Sequence, residues 1–271
     1  MLVSTGIFRL FLMSGLCAVA FAAFAQPPTS EIAPRGTLRI AIGVAPAASA
    51  FYCVKDTKTG EPRGVAVDLG AELGRLLHVP VEYIEYPSSG AITEAADKDA
   101  WDVAFMPVDN ERARIVDFGP AYYVFESTYL VLGESPIKAI EEVDKPGVRV
   151  IGVQNTTTGR AAQASLKQAQ YSSFRSVSEL IEELRAGRAD AVALSRESLG
   201  NFSKQFPGSR ILPGGFWRTG VAVAVPKGRK ERLAFVTNFV ENAKVTGSIR
   251  RALDGAGLFD AAVASSEARR N

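Results

Sequence analysis

Apolar and polar positions alternate along the chain in a repeating order of short strands and amphipathic helices. The stretch 37–43, TLRIAIG, alternates like a β-strand and leads into a loop rich in Ala and Pro. After a turn around Gly60, Leu69, Leu73, Leu76 and Leu77 recur at i, i+4, i+7 and i+8, which predicts a helix ending near His78-Val79-Pro80. VEYIEY, residues 81–86, reads as the next strand. Pro87-Ser88-Ser89-Gly90 breaks it and offers hydroxyl caps to a helix over about 91–98, after which Trp101 to Met106 is a further strand.

A second series of the same design follows. Ser127 to Leu132 is a long apolar strand leaving the first unit, and residues 136–147 form a connection. Val148 to Val153 is a strand, residues 154–158 a polar loop, and residues 159–169 a helix. Ser176 and Glu179 have capping-box spacing ahead of Leu180, Ile181 and Leu184, and Ala189 to Leu194 is a buried strand. Leu199, Phe202 and Phe206 continue a helical face. Thr219 to Val225 is a strand ended by Pro226-Lys227-Gly228; an amphipathic helix then carries Phe235, Val236, Phe239, Val240 and Ala243. A last helix spans about Ser248 to Leu253, before a polar tail expected to be disordered. Strands alternating with helices predict an α/β fold with parallel sheet covered on both faces. Two such units joined by two extended strands predict lobes with a hinge and a binding groove between them.

The first residues change the picture of where this fold works. Residues 1–25 hold Arg9 and no acidic residue, then an apolar run from Leu10 to Phe24 ending in small residues, the layout of a signal peptide cleaved after Ala25. The run is short for a bilayer span, so an exported, periplasmic mature chain is expected. Cys17 is a poor lipid-anchor site because Leu16 precedes it. Cleavage leaves Cys53 alone, so no internal disulfide is expected and the core must carry stability. The formal charge is +2 with both signs interspersed, which argues against a nucleic-acid partner. One histidine and one mature cysteine argue against zinc, and neither metal nor cofactor is expected.

Candidate chemistry concentrates in residues 101–123, WDVAFMPVDNERARIVDFGPAYY. An apolar strand stops at Pro107, two arginines follow, and a Gly-Pro turn precedes paired tyrosines. Guanidinium presents paired planar donors that match a carboxylate, so Arg112 or Arg114, at the carboxyl edge of a strand, is a candidate anion clamp.

The segments TLRIAIG, GVAVDLGAELGRLL, WDVAFMPVDNERARIVDFGPAYY, VIGVQNTTTGRAA, LRAGRADAVAL and TGVAVAVPKG, in this order and spacing, resemble the periplasmic solute-binding proteins of ABC importers, the polar amino acid-binding group called family 3. The resemblance covers nearly the whole mature chain. It implies a two-lobed periplasmic-binding-protein-like fold of type II: residues 26–130 with 219–271 as one lobe, residues 131–218 as the other, and two hinge strands flanking the ligand cleft.

It also implies site residues. Arg112, six residues before Phe118, takes the place of the arginine that clamps the ligand's carboxylate, and Arg114 becomes a surface charge. Thr157 and Thr158 match a Gly-Thr-Thr-like turn at a helix start, Thr156 replacing the glycine. Such a start suits an anion, because free N–H donors and the helix dipole point at it. Ser195 stands where many amino acid binders place the aspartate that receives the ligand's ammonium, and a serine cannot supply that charge. Ala48 stands where a stacking aromatic is usual, leaving Phe51 or Tyr52 to serve. Pro107 is counted with the site, and Glu126 and Glu197 are candidates for the missing ammonium partner. The implied function is capture of an amino acid or related small carboxylate by a monomeric receptor that delivers it to an inner-membrane permease. Two alternatives use the same scaffold: an exported dehydratase of the prephenate or arogenate type, and a ligand-sensing receptor without transport. An enzyme would need an acid in the cleft, and His78 is expected at a helix end away from it.

Overall fold

The computed structural model describes residues 29–45 and 52–265. The expected signal segment with Cys17, the positions Ala48 and Phe51, and residues 266–271 lie outside the described residues. The chain opens with helix α1 (Thr29–Ile32), strand β1 (Leu38–Gly43) and a small ribbon of β2 (Val54–Lys55) and β3 (Pro62–Arg63). Helix α2 (Val65–Leu77), β4 (Val81–Tyr86), α3 (Ser89–Glu94), β5 (Val103–Pro107) and the long β6 (Val116–Val131) follow. Then come β7 (Arg149–Val153), α4 (Thr157–Ser165), β8 (Gln170–Phe174), α5 (Val177–Arg185), β9 (Ala191–Ser195), α6 (Arg196–Phe202) and β10 (Arg210–Ile211). β11 (Trp217–Pro226), α7 (Lys230–Val245) and α8 (Ser248–Gly255) close the chain.

These strands form one mixed sheet in the order β4-β1-β5-β11-β6-β9-β7-β8, with β10 on β6. β1, β4 and β5 are mutually parallel, as are β7, β8 and β9, which is what the alternating strands and helices predict. β11 and β6 run antiparallel to their neighbours and to each other, so the sheet is mixed rather than wholly parallel.

Two sets of core residues separate along the sheet. Leu38, Ile40, Leu69, Leu73, Phe105, Val223, Phe235 and Phe239 pack in one, while Leu130, Ile151, Leu180, Leu184, Leu199 and Phe202 pack in the other. Their seam lies on β6: Tyr123 and Phe125 join the first core and Tyr129 and Leu130 the second lobe. At the seam the sheet narrows. β5 pairs with β11 from Val221 onward, with Val108 N–H also donating to Gly220 O, and β9 pairs with β6 only from Ser127 onward, so the sheet is two strands wide at residues 125–126 and 218–219.

Several expectations shift in detail. The Gly-Pro turn expected at Gly119-Pro120 is not a turn: both residues lie inside β6, where the register against β11 slips between Ala222 and Ala224. A bulge absorbs an extra residue and tolerates a proline that has no N–H to donate. Leu76, expected on the apolar face of α2 with Leu69, Leu73 and Leu77, is 44% exposed while the other three are buried. The part of the tail among the described residues, 256–265, packs on the fold. Ala264 N–H donates to Tyr122 O at 3.0 Å, and Arg250 donates to the carbonyls of Leu258 and Ala261. Among the described residues no helix is long and apolar enough to cross a membrane.

Candidate functional site

Beyond β5, Asp109 organises the loop that carries both arginines. Its Oδ1 accepts from Arg112 N–H at 2.9 Å and its carbonyl from Ala113 N–H at 3.0 Å, closing one tight turn over Arg112–Arg114. Residues two apart in a three-residue turn face different ways. Arg112 is therefore 1% exposed, whereas Arg114 points outward and pairs with exposed Glu111 at 3.0 Å.

The buried guanidinium is held on several sides. Arg112 Nη1 donates to Pro107 O at 3.0 Å, and Nη2 to Ser89 Oγ at 2.8 Å and to Asn155 O at 3.3 Å. Its Nε lies 3.5 Å from Asp109 Oδ2 and makes no hydrogen bond of its own. Burial lowers the Arg112 pKa to about 10, against the raising field of Asp109, and leaves the side chain charged at neutral pH.

Across the cleft, α4 begins at a tight turn in which Asn155 has a left-handed φ of 56°. Thr156 caps the helix, its Oγ1 accepting from Gly159 N–H at 3.0 Å and donating to Val153 O at 2.7 Å. Capping by Thr156 leaves Thr157 and Thr158, both buried, free to look into the cleft. The Thr157 hydroxyl donates to Asp109 Oδ2, and Thr158 Oγ1 shares a 2.8 Å bond with Ser127 Oγ. Ser195, 6% exposed, caps α6 by accepting from Ser198 N–H at 3.3 Å.

A cavity of about 100 Å³ lies between these elements. Tyr52, Pro107, Thr157, Thr158 and Ser195 line it, with further hydroxyls from Ser88, Ser89 and Ser198. Ile92, Phe105, Phe125, Val153 and Leu194 supply apolar walls. The described lining contains no charged side chain. Arg112 stands just behind it, bonded to the lining residues Pro107 and Ser89.

The structure thus gathers Arg112, Pro107, Thr157, Thr158 and Ser195 around one cavity. It does not bring Glu126 there. Side chains alternate along β6, so Phe125 and Ser127 turn to the cavity side and Glu126 to the opposite face. There Glu126 accepts from Arg196 Nε and Arg218 Nε, each at 3.0 Å. Glu197 lies nearer: its Oε1 accepts from the Tyr123 hydroxyl at 2.5 Å, while its Oε2 is buried without a hydrogen-bond partner. Burial raises the Tyr52 phenol well above its ordinary range, with the Arg112 field opposing and the Glu197 field adding to the rise. His78 is exposed at the left-handed end of α2, far from the cavity in the fold.

This arrangement of cavity, hinge and paired lobes has counterparts. Residues 40–255 match the bacterial extracellular solute-binding proteins, family 3. The chain belongs to that family.

Within family 3, a glutamine-binding protein of Geobacillus stearothermophilus is 23% identical over 192 residues, 69% of this chain and 73% of that protein. An L-arginine-binding protein of Pseudomonas aeruginosa is 26% identical over 215 residues, 75% of this chain and 83% of its own length. Among solved structures, an ancestral amino acid-binding protein, a precursor of cyclohexadienyl dehydratase, superposes with a TM-score of 0.71 at 28% identity, covering 84% of this chain and 99% of the other. The solute-binding fold, two-lobed and α/β, is therefore shared with amino acid receptors.

Asp109 and Arg160 are charged residues of the candidate site that sequence reasoning missed, as are the polar Ser88, Ser89, Asn155 and Ser198. Asp109 Oδ2 receives the Thr157 hydroxyl and the Arg160 guanidinium as well as facing Arg112. The readable signal for Asp109 was its spacing three residues before Arg112, from which an aspartate can cap a turn by accepting the i+3 N–H. Nothing in the sequence marked Arg160, because its relation to Asp109 spans the cleft.

Proposed function

We propose that this protein is an extracytoplasmic receptor of an ABC importer that closes its lobes over an amino acid or related small carboxylate and presents it to an inner-membrane permease. The observation that carries the reading is Arg112: a guanidinium 1% exposed, at the carboxyl edge of β5, facing the start of α4 beside a solute-sized cavity. A buried cation opposite helix N–H groups favours an anionic group between them. A ligand touching both lobes stabilises the closed state selectively, the requirement for a closure signal to a permease. The glutamine- and arginine-binding relatives support the ligand class, and the leader expected in residues 1–25 supports export to the periplasm. We place the lobe boundary on β6 near Ser127 and the return crossing near Trp217, where the two core groups part.

Calorimetric titration tests the reading. Arg112→Ala lowers affinity for the bound carboxylate by about 2–5 kcal/mol, as for one partner removed from a buried charged pair. Unchanged affinity would refute the clamp. A catalytic reading draws on the dehydratase precursor among the structural relatives and on the buried Glu197 Oε2. Turnover of prephenate by the purified protein, abolished in Glu197→Gln, would replace the receptor reading.

A further inference from the structure

The donors on either side of the cleft converge on a carboxylate that belongs to the chain itself. Asp109 lies on the β5 side. Its Oδ2 is 3.5 Å from Arg112 Nε, and from the opposite lobe it receives the Thr157 hydroxyl at the start of α4 and the Arg160 guanidinium one turn further on. Its side chain is 12% exposed. A buried guanidinium and the hydroxyl at a helix start are the groups that a ligand carboxylate is proposed to use.

The same contact draws the lobes together. Arg112 Nη2 reaches Asn155 O across the cleft at 3.3 Å, and Asn155 Nδ2 donates to Glu94 Oε1 at 2.5 Å. Gly90 makes the approach sterically possible: a Cβ there would sit 2.9 Å from Asn155 Cβ and 3.0 Å from the carbonyl oxygens of Gln154 and Asn155. These contacts join one lobe directly to the other.

We propose that Asp109 is an internal occupant of the carboxylate position, latching the ligand-free lobes together, and that a carboxylate solute must displace it to reach Arg112 and Thr157. The competitive part rests on the function proposed above. A state that occupies its own site lowers the apparent affinity by the fraction of molecules latched. The site is thereby selective: a solute must offer more than one carboxylate's worth of contact, and the hydroxyl and apolar walls of the cavity provide it.

Asp109→Asn tests the latch, since asparagine keeps a side-chain oxygen for the Arg112 N–H but loses the charge. Arg160→Ala, at a half-exposed partner in the other lobe, is the second variant in case the first folds poorly. In small-angle scattering of the ligand-free proteins, both variants have a larger radius of gyration than the wild type. In calorimetric titrations with L-glutamine and L-arginine, they bind about tenfold more tightly than the wild type. Ligand-free variants as compact as the wild type, or variants that bind those amino acids equally or more weakly, overturn the proposal. Expanded variants with no binding of any amino acid or small carboxylate by either form support the latch and overturn the carboxylate reading of function.

Discussion

Each lobe is pinned at its base by the same arginine–aspartate pair, set in opposite surroundings. At the start of β1, Arg39 donates from its backbone N and Nε to Asp102 Oδ2 at 2.9 and 3.1 Å and from Nη2 to Oδ1 at 2.8 Å. At the start of β7, Arg149 makes the same bonds to Asp190, at 2.8, 3.0 and 2.8 Å. In both, the aspartate N–H returns a bond to the arginine carbonyl. The first pair is buried, with side-chain exposures of 6% and 0%, and Arg232 adds a second guanidinium 3.3 Å from Asp102. The second pair is 42% and 34% exposed. Equal geometry does not imply equal worth, because water screens the second pair and has been removed from the first.

The largest effect expected from breaking this comparison is at Asp102. Asp102→Ala leaves buried Arg232 without a carboxylate and buried Arg39 with only the exposed Asp99, and costs about 3–5 kcal/mol in urea unfolding. A loss under 1 kcal/mol would mean that water enters to replace it. Next is the point where the lobes meet: Gly90→Ala sets a methyl group against the Asn155 turn and disfavours closure by about 1–3 kcal/mol. The stability of each lobe alone should hardly change, so scattering of the ligand-free protein should show opening without a matching loss in thermal unfolding. Thr156→Val removes the α4 cap at a cost of about 1 kcal/mol, read in the same melts.

Asp190→Ala has the smallest effect, about 0–1 kcal/mol at neutral pH. Its pH dependence sharpens the contrast. The hydrogen bonds and field of Arg149 hold the Asp190 carboxyl below its ordinary value, against the rise that desolvation imposes. A depressed carboxyl contributes stability above the unfolded value of about 3.9 and loses it as pH falls through the folded value. Wild type and Asp190→Ala should therefore converge in stability below about pH 4. A gap that stays constant down to pH 2 would show that the pair acts through packing rather than charge.

How much of this was legible depended on whether a residue's partners were local. The helix faces of α5 and α7, the α2 face apart from Leu76, and the Ser176 cap follow from spacings within a few residues, and the structure reproduces them. β8 escaped notice because QYSSF is an edge strand with little burial and no apolar alternation. The continuity of β6 through Gly119-Pro120 was hidden because only its pairing with β11 reveals a bulge in place of a turn. In the site, Arg112 stood out by its position after a strand, whereas the role of Asp109 depends on Thr157 and Arg160, 48 and 51 residues away. Glu126 was misplaced because alternation along β6 could not be counted until the strand's extent was known.

The narrow crossing between the lobes has a mechanical consequence. A sheet several strands wide resists bending, but the sheet that joins the lobes narrows to a two-stranded ribbon at residues 125–126 and 218–219. Two-stranded ribbons twist more readily than wide sheets, while their ladder of hydrogen bonds still opposes sliding of one strand past the other. Glu126, stapled to Arg218 on the neighbouring strand and to Arg196 beyond the crossing, sits at the middle of that ribbon. The crossing therefore behaves as a torsion bar with a single soft coordinate, converting contacts made in the cleft into one direction of swing.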